Sequence, residues 1–189
     1  MTIHHHFIYK QHPERYPQQH DHTECGLFTI KAVIESYYPE LNKDPIEYTS
    51  SRWHRVMKLS TPKELSKTLS KYNIAHIRGK YHRKDMLSKI DFIKRHLQDG
   101  PIVVLTAHAY NARNMFNLPR AIFAQHYLSI RGYDDKLEVF YCYDSHTPIR
   151  ENDLPVGNIK LNYRDLITYR DFACLGLFNK RFIAIKGKK

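Results

Sequence analysis

Residues 126–145 read HYLSIRGYDDKLEVFYCYDS. Two runs within it, HYLSIRGYD (126–134) and LEVFYCYDS (137–145), are rich in aromatic and aliphatic residues and bounded by polar ones. Such short runs read as strands. The polar break around Asp134, Asp135 and Lys136 is too short for a crossover, so the runs form an antiparallel hairpin. Reflection about a turn at Asp134 and Asp135 puts His126 opposite residues 143–144, beside Asp144.

Helical periods lie upstream of the hairpin. Leu27, Ile30, Val33, Ile34 and Tyr37 recur at helical spacing, with Thr23 as the expected N-cap and Pro39 as the stop. Residues 39–60 look irregular. Thr61 and Glu64 then form a capping box with Pro62 at the first helical position, and Leu65 and Leu69 continue the apolar stripe. IAHIR (74–78) predicts a short strand. Met86, Leu87, Ile90, Ile93 and Leu97 predict a helix closed by Gly100. PIVVLT (101–106) and RFIAIKG (181–187) are further strands. Helices first and an antiparallel sheet after them define an α+β class. With no linker or repeat, residues 1–189 are expected to form a single domain, with 1–18 as an irregular arm. The long 107–125 segment is a candidate functional loop.

Composition narrows the function classes. The formal charge is +11, from 30 Lys and Arg against 19 Asp and Glu, which favours acidic partners. The basic residues are dispersed, and KYHRK (80–84) and KGKK (186–189) are too short for polybasic arms. With no basic-aromatic module around Trp53 and the tyrosines, nucleic acid is a disfavoured partner. Cys25, Cys142 and Cys174 form no CxxC pair, which argues against a disulfide framework or a structural zinc site. His4, His5, His6, His12, His20 and His22 lack ordered ligand spacing, so no metal and no cofactor is expected. No secretory signal and no apolar run of about 18 residues is visible, which points to a cytoplasmic chain, with export by a dedicated secretion system left open.

Residues 19–27, QHDHTECGL, carry the chemistry. A helix N-terminus favours a thiolate through its dipole and free N–H groups. Cys25 lies in the first turn of the first predicted helix, and Gly26 leaves room for a close backbone approach. His126, fixed on a strand, can serve as base, and Asp144 can orient it. The Cys25 N–H and the Gln19 side-chain amide are candidate oxyanion donors. His146 and His108 are rival bases that fit strand ends better. Cys142 and Cys174 fit the core.

The pattern Gln19, Asp21, Glu24, Cys25, Gly26 resembles the nucleophile motif of the bacteriocin-processing, double-glycine peptidase family, a branch of the papain-like cysteine peptidases. His126, Tyr127, Gly132, Tyr133 and Asp144 fit the family's later segments, so the likeness covers most of residues 19–145. Ser145 follows Asp144 where the family usually has proline, and the interval from Cys25 to His126 is longer than usual. The resemblance implies a papain-like fold, with N-terminal helices packed on an antiparallel β-sheet, and a cysteine peptidase. Its triad would be Cys25, His126 and Asp144, with Gln19 in the oxyanion hole. The expected partner is a peptide or protein substrate, acidic in character. Glutamine deamidation or acyl transfer by the same apparatus, in a bacterial toxin or effector, is the alternative. A basic binding module on an inactive peptidase fold is the rival from another class.

Overall fold

The computed structural model describes residues 6–8, 24–49, 60–80, 85–107, 125–147, 153–171 and 181–188. The elements in chain order are β1 (His6–Ile8), α1 (Cys25–Tyr37), α2 (Pro45–Tyr48), α3 (Pro62–Lys71), β2 (Ile74–Lys80) and α4 (Met86–Leu97). They continue as β3 (Ile102–Ala107), β4 (Gln125–Asp134), β5 (Val139–Asp144), β6 (Ile159–Asn162), α5 (Tyr163–Asp171) and β7 (Arg181–Lys188). The class is α+β. All strand pairs are antiparallel and join one sheet in the order β2-β7-β3-β4-β5-β6. β1 pairs with the far end of β4, opposite Gly132–Asp134, so part of the expected irregular arm is strand.

Each strand sends alternate side chains to two cores. Val103, Leu105, Tyr127, Ile183 and Ile185 face α1, α2 and α3. Ile102, Val104, Leu128, Ile130, Phe182 and Ala184 face α4 and α5. Helices therefore cover both faces, which is why β3 and β7 read as continuous apolar runs. All thirteen residues of α1 are buried. Its two charges survive there because Lys31 pairs with Glu35 at 2.9 Å, and Tyr48 Oη donates to Glu35 at 2.8 Å.

Local signals explain the boundaries. Thr61 Oγ1 accepts from Glu64 N, and the Glu64 carboxylate returns to Thr61 N, so α3 starts as the capping box predicts. An equivalent box at Asp44 and Glu47 starts α2, inside the stretch expected to be irregular. The N-cap of α1 is Glu24, not Thr23, and its side chain makes no capping bond; Thr23 lies outside the described residues. α4 is capped by Gln98, not Gly100. Gly100 instead lies against β7, where an added Cβ would come within 2.7 Å of the Ile185 carbonyl oxygen.

Candidate active site

Three of the expected site residues converge from three elements. Cys25 is the first residue of α1, His126 the second of β4 and Asp144 the last of β5. All three are buried, His126 and Asp144 to within 1%. As the first helical residue, Cys25 has an N–H with no carbonyl of its own helix to bond.

The hairpin register differs from simple reflection. A four-residue turn at 135–138, with Glu138 at φ 53°, puts Asp134 opposite Val139. A bulge at Arg131 then shifts the pairing by one, so that Leu128, not His126, lies opposite Asp144. His126 is the diagonal neighbour on the same face, which remains within side-chain reach. Its Nε2–H donates to Asp144 Oδ1 at 2.5 Å. Cys25 lies close enough to the same ring to raise its pKa. With Nε2 engaged by Asp144, Nδ1 is the nitrogen left for the thiol. Burial alone drives the His126 imidazolium toward its neutral form. Electrostatic attraction to Cys25 opposes this most strongly, and the hydrogen bond to Asp144 adds to it. The net effect pushes His126 up to about 10.

Asp144 is fixed at several points. Oδ1 also accepts from His146 N at 2.8 Å, and Oδ2 accepts from Thr147 Oγ1 at 2.8 Å. Asn158 brackets the backbone: Asp144 N donates to Asn158 Oδ1 at 2.8 Å, and Asn158 Nδ2 donates to Asp144 O at 2.7 Å and Thr147 O at 3.1 Å. Gly157, at φ +78°, makes that approach feasible, since a Cβ there would lie 2.1 Å from the Cys142 carbonyl oxygen. Ser145 is fully buried in this turn. Sequence reasoning missed Asn158. The Pro155-Val156-Gly157 run marks a turn, but no local signal says which strand end its asparagine meets.

Cys25 is positioned by packing. A Cβ on Gly26 would meet Ser60 Oγ at 2.4 Å and Tyr127 Cδ2 at 3.1 Å. The space beside Gly26, expected to admit a substrate backbone, is taken by the chain's own Ser60. Tyr127, next to His126, ties the parts together. Its Oη donates to Ser60 O at 3.2 Å, and its carbonyl accepts from Thr29 Oγ1 of α1 at 3.1 Å.

The remaining candidates separate. The His146 ring lies 6.2 Å from that of His126, centroid to centroid, and His146 reaches the Asp144 carboxylate through its backbone N–H. Cys142 is buried in the core facing α4. Gln19, His108, Trp53, Cys174, the loop at 108–124 and His4, His5, His12, His20 and His22 lie outside the described residues. His6 Nδ1 donates to Asp134 Oδ2 at 3.3 Å. Among the described residues no three metal-ligating side chains converge, and no helix is long and apolar enough to cross a membrane.

A papain-like thiol peptidase fold, with cysteine at a helix N-terminus and histidine and aspartate on adjacent strands, is the class this arrangement defines. The chain belongs to the C39-like peptidase family: residues 13–169 match the family described as "Peptidase_C39 like". It is similar in fold to the double-glycine motif protease of an AMS/PCAT transporter, solved in complex with the leader peptide (14% identity, TM-score 0.54, covering 96% of this chain and 97% of that one). A C39-like peptidase from Bacillus anthracis aligns at 12% identity and TM-score 0.56, covering 96% and 98%. The peptidase domain of Streptococcus ComA, a bifunctional ABC transporter of a quorum-sensing pathway, aligns at 13% identity and TM-score 0.54, covering 92% and 100%. No curated protein matches the sequence.

Proposed function

We propose that the chain is a cysteine peptidase, in one domain, that hydrolyses peptide bonds through Cys25, His126 and Asp144. The observation that supports this reading is the meeting of three groups at one imidazole: His126 bonds Asp144 through Nε2 at 2.5 Å, and Cys25 lies near enough to raise the His126 pKa.

In the proposed reaction the Cys25 thiolate attacks the substrate carbonyl carbon. A C–S bond forms while the carbonyl π electrons move to oxygen. The Cys25 N–H and the Gln19 side-chain amide stabilise that oxyanion. Collapse breaks the C–N bond, and the His126 imidazolium gives its proton to the departing amine. The neutral imidazole then takes a proton from water as it attacks the thioester. The C–S bond breaks, the acid product leaves, and the thiolate–imidazolium pair is restored. Asp144 orients the ring throughout.

The test is mass spectrometry of peptide mixtures after incubation with wild-type and Cys25→Ala protein. Backbone cleavage by the wild type alone is the expected result. A gain of about one dalton without cleavage, the mark of deamidation through the same thioacyl route, would replace hydrolysis. Neither product, together with no labelling of Cys25 by a thiol-reactive amide probe, would reject the enzymatic reading.

A further inference from the structure

The proposed reaction does not use a cluster of exposed cations on α3 and β2. Residues 60–80 hold Lys63, Lys67, Lys71, Arg78 and Lys80 against Glu64 alone, and Glu64 is committed to the α3 capping box. All five cations are exposed, and none forms an ion pair with a described carboxylate. Four described lysines elsewhere do pair, Lys31 with Glu35, Lys89 with Asp171, Lys94 with Asp135 and Lys186 with Asp99, whereas no lysine of this stretch does. The patch is also built on a sheet edge. Among the described strands β2 pairs only with β7, so its outer N–H and C=O groups face away from the sheet. Arg78 and Lys80 stand on the face of β2 that carries α3, where Ser66 of α3 bonds His76 at 2.6 Å. On the other face Ile77 is 48% exposed, an apolar contact awaiting cover.

The geometry points to an occupant. We infer that the β2 edge, with Arg78, Lys80 and the first turn of α3, receives an extended acidic peptide segment of the substrate as an added strand. The inference rests on the peptidase reading of the site and names its substrate class. A strand added to β2 would satisfy the edge, cover Ile77, and set carboxylates at alternate positions opposite Arg78 and Lys80. A second copy of this chain is disfavoured there, because β2 against β2 sets like charges together. Nucleic acid could use the cations but not the main-chain edge. The edge also lies at the right end of the sheet. Lys80 pairs with Arg181, Phe182 with Val104, and Thr106 with His126, so Lys80 and His126 stand at one end. Three strand spacings of about 4.8 Å separate them, roughly 14 Å, or about four residues of extended chain. The acidic segment is therefore expected at least about four residues from the scissile bond.

The test uses Cys25→Ala protein, so that docking is read without cleavage. Fluorescence anisotropy follows a labelled peptide of alternating threonine and glutamate, the same peptide with glutamine for glutamate, and single-stranded oligothymidylate. The glutamate peptide is expected to bind saturably. Binding should weaken about tenfold in Arg78→Gln/Lys80→Gln and hold in Lys136→Gln/Lys160→Gln, which removes the same charge elsewhere. Amide hydrogen exchange at 76–80 should slow on binding, because the peptide bonds the edge. Equal binding of the glutamine peptide, tighter binding of oligothymidylate, equal weakening in both double variants, or unchanged exchange in β2 would overturn the inference. Cleavage is scored separately with the peptide mixtures and the Cys25 probe, so docking with neither cleavage nor labelling would refute only the peptidase reading.

Discussion

Asp144 and Cys25 meet His126 from different sides, and the chain secures them by different means. On the Asp144 side nearly everything is polar. Asn158, Thr147 and the His146 N–H hold both carboxylate oxygens and both backbone groups of one buried residue. On the Cys25 side the means are steric: a fully buried helix, a glycine at its second position, and Ser60 and Tyr127 packed into the space a side chain would take. Under the proposed reaction the contrast follows from what each group would do. A buried carboxylate is tolerated only when its lone pairs are satisfied, so its position is set by donors. A sulfur that must reach a carbonyl carbon cannot be wrapped in donors, so it is placed by the body of the helix carrying it.

The two sides should therefore break differently. Cys25→Ala is expected to remove peptide cleavage altogether, a loss of about 10⁵-fold or more, with the fold retained as judged by circular dichroism. Asp144→Asn should cut kcat by roughly 10²- to 10⁴-fold in a steady-state assay, since the asparagine can no longer stabilise the imidazolium. Asn158→Ala touches no substrate, yet leaves the Asp144 N–H buried and unbonded. A stability loss of roughly 2–4 kcal/mol by urea titration is expected, with kcat down by about tenfold to a hundredfold and KM little moved. On the steric side, Gly26→Ala should cost about 1–3 kcal/mol. Ser60→Gly in the same chain should restore most of that loss; no restoration would mean that Ser60 is not what fills the space.

The smallest effect is on pH dependence. His126 is raised in the folded state, so its contribution to stability is complete below the ordinary imidazole value and is lost as pH rises toward about 10. The melting temperature should therefore slope downward through the neutral to alkaline range. In Cys25→Ala, which lacks the largest effect raising that histidine, the slope should flatten.

These sides were not equally legible in the sequence. Cys25 and Gly26 are contiguous, and a cysteine opening a helix can be read from the spacing of Leu27, Ile30, Val33, Ile34 and Tyr37 alone. The His126–Asp144 relation was legible because a hairpin converts sequence distance into spatial distance. Its register was not, because the four-residue turn and the bulge at Arg131 depend on packing. The bulge directs Arg131 toward α1, where Nη1 donates to Ser36 Oγ at 2.9 Å. α2 carries its own Asp44 and Glu47 box, but four residues are too few to show a helical period. Ser60 and Asn158 were invisible for a physical reason. Each acts on a residue far along the chain, and neither spacing nor propensity specifies such a partner.

The proposed reaction needs one imidazole shared between Cys25 and the Asp144 carboxylate. Nitrogen-15 NMR of the His126 ring, followed from pH 5 to pH 10 in wild type and in Cys25→Ala, addresses it directly. The expected result is a wild-type ring still doubly protonated at pH 8 and a Cys25→Ala ring that loses its proton at a clearly lower pH. A ring that titrates near the ordinary value of about 6.5 in both proteins would contradict the pairing of Cys25 with His126.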